Sequence, residues 1–401
     1  MRSAIVHYWL LGMRGGEKVV ESLCRLLPDA DIFTLFYDPD TVSPLIRSHR
    51  VTASFLNPLR RFHRSLLPLM PIALEHLDLR DYDLVISSES GPAKGVITSC
   101  NTRHVCYCHS PMRYLWDLYP AYLHDWTTSR SKRMLIASLS NYLRLWDYAS
   151  AARVDKFIAN STNIEKRIWK AYRRRSDVIY PPVAVDVFFN RPSDDYYLVV
   201  SELVAYKRVA DAVRCFSRTK RPLRIVGDGP QYAALKRLAG PNIQFCGRVS
   251  AHDLRELYSR CRAVVMPGEE DFGIVAVEAI ASGKPLIALG RGGVLESVPS
   301  QSPCAGFFYE HPSDTLLELA VENFERVELS ISPLALRNVA MKFSEERFLD
   351  EMKQAVFNSE GAPEHRGEVP AVPLRRHAEP GAEGHRVAVL QKVHNSTTTQ
   401  S

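Results

Sequence analysis

The chain has 401 residues, which is too long for a single compact core and suits two domains of ordinary size. Its apolar fraction of 46% and its charged fraction of 24% are those of a globular protein. A net charge of +6 is too diffuse to argue for nucleic acid, and it suits a small anionic ligand or an anionic membrane surface.

Cysteine usage and hydropathy bear on the compartment. The eight cysteines are scattered and match no zinc-binding spacing, which predicts reduced thiols. The sequence shows no signal peptide and no run of 18 or more apolar residues that could span a bilayer. We therefore expect a cytoplasmic protein.

The first half of the chain alternates short apolar strands with helical stretches. Apolar residues recur at helical spacing from residue 17 to residue 27, where Pro28 ends the pattern. Pro181 and Pro182 forbid regular structure and predict a hinge. The predicted strands are residues 4–7, 32–36, 84–87, 105–108 and 157–159.

The second half alternates strands and helices more regularly and predicts a doubly wound parallel sheet, an α/β fold. Its predicted strands are residues 197–200, 223–226, 243–245, 263–266 and 286–289. Few apolar residues follow residue 358, which predicts a disordered tail. We expect two Rossmann-like domains at residues 1–182 and 183–343, a closing helix at 344–358 and the tail at 359–401.

A glycine pair lies between the first strand and the first helix. Gly15 and Gly16 let backbone N–H groups approach an anion closely, and Glu17 falls in the first helical turn. The pair is not a complete dinucleotide or Walker fingerprint, which argues against NAD and ATP. An ordinary turn is the alternative.

Two short acidic triplets raise the question of a metal. Asp38-Pro39-Asp40 and Asp81-Tyr82-Asp83 could each hold a divalent cation between two carboxylates. The first reads equally as a turn and the second as the start of a strand. We expect no metal at either triplet.

The segment from residue 57 to residue 77 mixes Arg60, Arg61, His63 and Arg64 with bulky apolar residues. It could lie on an anionic bilayer with its apolar side chains inserted. Alternatively, its apolar residues pack into the domain core: Leu66, Leu67, Leu69 and Met70. Both interpretations remain open at this point.

Several polar residues follow predicted strands, where parallel sheets bind ligands. His109 follows strand 105–108, and a histidine there is expected to face a cleft with a pKa near the working range. Asn160-Ser161 follows strand 157–159, although Ser161 could simply cap a helix. Lys207, beside Arg208, offers a mobile positive charge to phosphate oxygens.

Glycines in the second half mark further strand ends. Gly227 follows strand 223–226 and Gly247 follows strand 243–245, where each allows a tight turn. The run from residue 267 to residue 285 places Glu270 on a loop and Glu278 in the helix that starts near Phe272-Gly273. That helix offers unpaired N–H groups to a phosphate, and its carboxylates can accept sugar hydroxyls. An amphipathic helix with an acidic cap is the alternative.

This last run resembles retaining glycosyltransferases of family 4, which have the GT-B fold. The resemblance rests on Glu270 and Glu278 with seven residues between them, the Phe-Gly pair, the Glu-Ala-x-Ala-x-Gly-x-Pro pattern at Glu278, and the later run of residues 290–293. It implies that Lys207 binds the donor diphosphate, that His109 and Glu270 contact the transferred sugar, and that Glu278 contacts the ribose. Residues expected around the donor are Gly15, Gly16, Arg208, Gly227, Gly247, Phe272, Gly273 and Ile274.

The chain departs from the family at Glu202, where the family carries an Arg that binds the diphosphate. Arg208 or Arg291 could take over that charge, or Glu202 could pair with Lys207 or Arg208 and orient it. A carboxylate at this position also leaves a non-catalytic nucleotide-binding regulator as one alternative. A GT-B-like epimerase of nucleotide-sugars is another.

Most specifically, the chain resembles bacterial mannosyltransferases of O-antigen and exopolysaccharide assembly. The resemblance implies a nucleotide-sugar donor, GDP-mannose first and a UDP-sugar second, with no cofactor and no metal. It implies an acceptor oligosaccharide on a polyprenyl diphosphate at the inner membrane, with retention of the anomeric configuration.

Overall fold

The computed structural model describes residues 1–119, 129–300 and 305–358. The predicted tail at 359–401 lies outside the described residues. The described chain contains two sheets, each flanked by helices, and we refer to each sheet with its helices as the first and the second domain.

The first domain is built on a seven-stranded sheet in the order β3-β2-β1-β4-β5-β6-β7. All of its strand pairs are parallel. The order reverses between β1 and β4, which opens a crevice outside their carboxyl ends. The strands are β1 (Ser3–Leu10), β2 (Asp31–Tyr37), β3 (Val51–Ala53), β4 (Leu84–Glu89), β5 (Arg103–Cys108), β6 (Lys156–Ala159) and β7 (Ser176–Val178).

Helices and one long 3-10 segment connect these strands. The 3-10 segment is Asn57–Leu69, and prolines at its start and near its end suit its irregular backbone. The helices are α1 (Gly15–Leu26), α2 (Pro44–Ser48), α3 (Met70–Glu75), α4 (Arg130–Ser150) and α5 (Thr162–Tyr172).

The second domain has a six-stranded sheet in the order β10-β9-β8-β11-β12-β13, again with parallel pairs. Its order reverses between β8 and β11. The strands are β8 (Tyr197–Val200), β9 (Leu223–Val226), β10 (Ile243–Gly247), β11 (Val264–Met266), β12 (Leu286–Leu289) and β13 (Gly306–Tyr309). The helices are α6 (Val209–Thr219), α7 (Tyr232–Leu238), α8 (Ala251–Arg260), α9 (Ile274–Ala281), α10 (Val294–Ser297), α11 (Asp314–Val327) and α12 (Pro333–Ala340).

The predicted strands are confirmed, and three further strands complete the sheets. Those three are β3, β7 and β13, and each of them lies at the edge of its sheet. Central strands are buried on both faces and therefore read as continuous apolar runs, whereas short edge strands carry no such signal. The fold is accordingly α/β with two Rossmann-like sheets.

The last described helix, α13 (Glu345–Phe357), packs against the first domain. Ser344 caps it by accepting a hydrogen bond from Arg347 N at 3.3 Å. Phe348, Met352 and Val356 are buried in the same core cluster as residues of β1 and α1. The chain therefore returns from the second domain to complete the core of the first.

Candidate functional site

The crevices of the two sheets carry most of the predicted site residues. In the second domain, the loops after β8 and β11 bring Lys207 and Glu270 together, with Nζ 2.6 and 2.5 Å from the two carboxylate oxygens. The loops approach closely at Gly268, where a Cβ would lie 2.8 Å from Lys207 Cα. Burial lowers the pKa of Lys207, but Glu270, together with Tyr206 and Asp271, more than offsets burial and raises the pKa of the lysine. Lys207 is therefore a cation at neutral pH.

Arg208 does not join this pair. Its Nε donates to Asp211 at 2.7 Å, and its backbone is left-handed, with φ of 55°. The side chain is partly exposed and is held on the first turn of α6. Arg208 therefore makes no contact with the Lys207–Glu270 pair in this structure.

Helix α9 begins beside that pair. Gly273 is its N-cap and has φ of +91°, a conformation that favours glycine. Phe272 is buried, with ring centroids 5.5 Å from both Tyr180 and Phe343. At the first helical position, Ile274 Cδ1 lies 2.9 Å from where a Cβ of Gly15 would stand. The glycine pair of the first domain therefore meets the N-terminus of α9, and a side chain at Gly15 would separate them.

Glu278 is the fifth residue of α9 and is almost fully buried. Its Oε1 lies 3.0 Å from Lys18 Nζ of the first domain, and its Oε2 accepts a hydrogen bond from Tyr258 at 2.9 Å. A cavity of about 270 Å³ opens next to it. Residues lining the cavity include Lys18, Ser22, Phe188, Leu254, Glu278 and Glu345.

Gly227 and Gly247 meet at the carboxyl ends of β9 and β10. Gly227 N donates to Gly247 O at 2.8 Å, and both residues have positive φ, 127° and 66°. A Cβ at Gly227 would lie 1.9 Å from Ser201 O, so this position excludes side chains. The backbone conformation alone explains why residue 227 is a glycine. A contact of Gly227 or Gly247 with the nucleotide-sugar donor remains a prediction.

His109 follows β5 and is half-buried. Its backbone N donates to Glu89 O at 2.6 Å, and its Nε2 lies 2.9 Å from Ser88 Oγ. Burial lowers the pKa of His109 to about 4, so the expectation of a pKa near the working range is wrong. The imidazole is therefore neutral at physiological pH.

The loop after His109 reaches the acidic loop that precedes α9. Arg113 NH1 lies 3.3 Å from Asp271 Oδ1, and Arg167 of α5 binds Asp271 and Glu269, each at 2.6 Å. These two arginines neutralise the carboxylates next to Glu270. The sequence analysis missed both, because their partners lie more than 100 residues away.

A second interdomain contact was also missed. Glu296 accepts hydrogen bonds from Thr162 N at 2.7 Å and Asn163 N at 2.8 Å, at the N-terminus of α5. Ser161 caps the same helix by accepting from Ile164 N at 3.2 Å, and it donates to Asp271 O at 2.7 Å. Ser161 is therefore both a helix cap and part of the boundary between the domains.

Glu202 pairs with neither Lys207 nor Arg208, so that alternative is wrong. Instead it lies 3.4 Å from Arg14 NH1 and 3.5 Å from Arg64 NH2, both from the first domain. Arg291, another candidate for the missing charge, donates to Glu310 O and contacts His311. Arg14 directly precedes the glycine pair, so the cations nearest to Glu202 come from across the cleft.

Three carboxylates of the acidic triplets have partners within the first domain. Asp38 accepts a hydrogen bond from Asp40 N at 3.3 Å in a 3-10 turn. Asp83 accepts from Arg2 N at 2.7 Å at the start of β4, and Asp81 lies 3.5 Å from Arg2. Within residues 1–119, 129–300 and 305–358, no group of three or more His, Cys, Asp or Glu side chains could hold a metal ion.

The segment from residue 57 to residue 77 divides between core and surface. Met70 is buried, and Leu66 and Leu67 pack against a core cluster, whereas Leu69 is 45% exposed. The prediction of core packing is therefore wrong for Leu69. In the part of the chain that the structure describes, no helix is long and apolar enough to cross a bilayer.

The chain matches two family models and several known proteins. The family model Glycosyltransferase Family 4 matches residues 13–187, and the model Glycosyl transferases group 1 matches residues 186–340. The O-antigen chain mannosyltransferase C of Escherichia coli is 25% identical over 66% of this chain and 71% of its own length. The uncharacterized glycosyltransferase MJ1178 of Methanocaldococcus jannaschii is 30% identical over 36% of this chain, and the match spans only 42% of that relative.

A solved structure shares the architecture. The Anabaena protein Alr3699/HepE in complex with UDP has a TM-score of 0.62 at 15% identity, over 88% of this chain and 99% of its own. Two facing Rossmann-like domains with these crevices form the GT-B fold, and the two family models make the chain a glycosyltransferase of that fold. Within that class the chain belongs to the family 4 glycosyltransferases, since the two family models together cover residues 13–340.

Proposed function

We propose that the protein transfers a hexose from a nucleotide-sugar to an acceptor with retention of anomeric configuration. The observation that carries this proposal is the partly buried Lys207–Glu270 pair at the N-terminus of α9, opposite the glycine pair of the first domain. Lys207 and the free N–H groups of α9 would stabilise the charge that develops on the leaving diphosphate. Glu270 and His109 would hold the hexose.

The donor is a nucleoside diphosphate sugar, with GDP-mannose the first choice and a UDP-sugar the second. Glu278 lies beside a cavity of about 270 Å³, and an ionised carboxylate there suits the paired hydroxyls of a ribose. The mannosyltransferase relative of Escherichia coli supports mannose, and the UDP bound to Alr3699/HepE supports a nucleotide as part of the donor.

The missing diphosphate cation is supplied in this proposal by Arg14. Glu202 occupies the position at which the family carries Arg, and Glu202 holds Arg14 at 3.4 Å. Arg14 thereby reaches the region of the missing guanidinium from the opposite domain. Its position directly before Gly15 places it at the mouth of the cleft.

The acceptor is a polyprenyl-diphosphate-linked oligosaccharide, and the enzyme works at the inner membrane surface. Exposed apolar side chains lie on the segment from residue 55 to residue 72 and on α4, and the two elements pack together through Leu67 and Leu143. The exposed side chains are Phe55, Leu59, Phe62, Leu69 and Ile72, together with Met134, Leu135, Leu139, Tyr142, Leu145 and Tyr148.

The charge of this surface favours anionic lipid over a protein partner of mixed charge. Residues 55–74 and 129–146 contain no Asp or Glu. They contain seven basic residues: Arg60, Arg61, Arg64, Arg130, Lys132, Arg133 and Arg144. On α4 the buried Leu143 and Asp147 face inward, so the outer face carries apolar residues where a water-exposed helix would carry charged ones. Such a face suits partial insertion into a bilayer interface.

Incubation with GDP-mannose or UDP-hexoses and a polyprenyl-diphosphate oligosaccharide, in excess EDTA, tests the reaction. We expect free nucleoside diphosphate and a glycosylated acceptor whose anomeric signal matches the donor. An epimerised nucleotide-sugar, or no turnover by a protein that binds the nucleotide, would contradict the proposal. Activity restored only by Mn²⁺ or Mg²⁺ would contradict metal independence and direct attention to Asp38 and Asp40.

Sedimentation with vesicles tests the surface. We expect binding to phosphatidylglycerol-containing vesicles and weak binding to pure phosphatidylcholine. The double variant Met134→Glu, Leu145→Glu should lose binding, because both side chains are more than 60% exposed and would carry charge into the interface. The matched control is Leu334→Glu on α12 of the second domain, which should bind like the wild type. Equal binding by all three proteins would remove α4 from the membrane contact.

A further inference from the structure

A hydrogen-bonded chain of three residues crosses the crevice of the first sheet. His7 on β1 and Ser88 on β4 are directly paired in register at the point where the strand order reverses. His7 Nδ1 lies 3.0 Å from Ser88 O and 3.1 Å from Ser88 Oγ. Ser88 Oγ in turn lies 2.9 Å from His109 Nε2. His7 and Ser88 are fully buried.

The hydrogen-bond donors among these three residues follow from the chemistry of their groups. A carbonyl oxygen only accepts, so His7 Nδ1 carries a proton and donates to Ser88 O. His7 Nδ1 therefore cannot accept from the Ser88 hydroxyl. Among the contacts of the described residues, His109 Nε2 is the acceptor that remains for that hydroxyl. The proton of neutral His109 is then on Nδ1.

The same assignment leaves His7 Nε2 with a lone pair. Within the described residues this buried atom has no hydrogen-bond partner, which is unfavourable for a buried polar group. Gly16 lies over this edge of the ring, and a Cβ there would stand 3.4 Å from His7 Cε1 and 3.7 Å from His7 Nε2. A side chain at Gly16 would therefore pack against the lone-pair edge of the His7 ring.

We propose that His7 is a second sugar-binding imidazole, which accepts a hydrogen bond from a sugar hydroxyl at Nε2 while Ser88 fixes the tautomer of His109. This inference rests on the proposed glycosyltransfer reaction, because it names a further residue of the same site. Burial and the neighbouring His109 lower the pKa of His7 to about 3, so the ring remains a neutral acceptor at physiological pH. Ser88 is a positioning residue in this arrangement, since it acts through His109.

Ser87, the residue before Ser88, provides a matched control. Ser87 Oγ lies 2.8 Å from His104 Nε2, in a second buried Ser–His pair. Neighbouring residues of a strand point to opposite faces, so this pair lies on the other face of the sheet from Ser88. A purely structural role for buried Ser–His pairs would make the two pairs respond alike.

Nitrogen-15 spectra of the histidine side chains test the tautomer without any turnover. The signals of His109 are assigned by their loss in His109→Gln. We expect the Nδ1–H tautomer in the wild type and in Ser87→Ala, and a change to Nε2–H or to a mixture in Ser88→Ala. A wild-type Nε2–H tautomer, or no change in Ser88→Ala, would overturn the role of Ser88.

Kinetics test His7. His7→Asn keeps a donor for Ser88 O and removes the Nε2 acceptor, so we expect a loss of at least about tenfold in kcat/KM for sugar transfer. Affinity for the nucleoside diphosphate alone should stay within about twofold, because that ligand lacks the hexose. His104→Asn should retain activity, Ser88→Ala should lose it, and Ser88→Thr should recover part of it. Equal effects of His7→Asn and His104→Asn would overturn the inference. A wild type that binds nucleotide without transfer would instead contradict the proposed function.

Discussion

At the scale of single residues, the cleft is lined by charges that hold one another in the absence of a ligand. Lys207 is bound by Glu270, and Glu278 is bound by Lys18 and Tyr258. A donor would have to take over these contacts, offering its diphosphate to Lys207 and its ribose hydroxyls to Glu278. These ion pairs therefore neutralise one another's charges inside the cleft.

Replacing Lys207 should weaken catalysis more than replacing its neighbour. Lys207→Ala should lower kcat/KM by at least about a hundredfold, because the cation proposed to bind the leaving diphosphate is lost and Glu270 loses its partner. Arg208→Ala is the matched comparison, and we expect a smaller loss because Arg208 is held by Asp211. Steady-state kinetics of both variants measure the difference. Wild-type activity of Lys207→Ala would mean that the diphosphate binds elsewhere.

Glu278 gives a test of nucleotide binding. Glu278→Gln keeps the size of the side chain and removes its charge, so nucleotide affinity should fall by about 1.5–3 kcal/mol, the range for a hydrogen bond to a charged group. Calorimetric titration with the nucleoside diphosphate measures this change. Tyr258→Phe removes the hydroxyl behind the same carboxylate and should cost less. Unchanged affinity of Glu278→Gln would exclude Glu278 from the nucleotide site.

At the scale of elements, the site is assembled where loops and helix ends of the two domains meet. The glycine pair touches the start of α9, Glu296 caps α5 across the boundary, and Arg113 and Arg167 neutralise the loop before α9. Each contact joins a helix terminus or a strand end, where backbone groups lack partners within their own element. Glu296 in this way satisfies two backbone N–H groups at the N-terminus of α5 from the other domain.

A charge exchange tests the contact between the glycine loop and the loop after β8. Arg14→Glu should weaken donor binding, because it removes the proposed diphosphate cation and sets two carboxylates against each other. Adding Glu202→Arg should restore binding, since the cation then stands where the family carries it. Donor affinity of the single and double variants measures the exchange. A double variant as weak as Arg14→Glu would argue that Arg14 does not act on the diphosphate.

At the scale of the whole molecule, α13 ties the end of the described chain to the first domain, and buried titratable groups tie stability to pH. His7, His104 and His109 are kept neutral by burial, which lowers the pKa values of these rings to about 3, 4 and 4. The pKa of Glu89 shifts in the opposite direction, because burial raises the pKa of this carboxyl to about 7.

Stability should therefore fall as pH drops from about 6.5 towards 5. In that range the unfolded chain gains protons on three histidines that the folded chain does not bind, and the folded chain gains one on Glu89. Each net proton contributes a slope of about 1.4 kcal/mol per pH unit at most. Urea unfolding at pH 6.5, 6 and 5 measures the slope, which should be smaller in His104→Gln. A free energy of unfolding that rises on acidification would contradict this assignment.

The sequence by itself determined the two-domain α/β fold, the central strands and the strand ends that carry His109, Lys207 and Glu270. Strands buried on both faces need continuous apolar residues, and strand ends in parallel sheets face the crevice, so both are visible in local patterns. The turns at Gly227 and Gly247, where φ is positive, were visible for the same local reason.

Only the tertiary structure decided which charges are neighbours. Lys18 and Glu278 are 260 residues apart, and Arg14 and Glu202 are 188 residues apart. Packing placed Ser88 between His7 and His109. Burial then made His109 neutral, since desolvation depends on the atoms that surround a ring. The distances between such charges are fixed by how the two sheets and α13 pack. Residue type and spacing along the chain therefore carry no information on them.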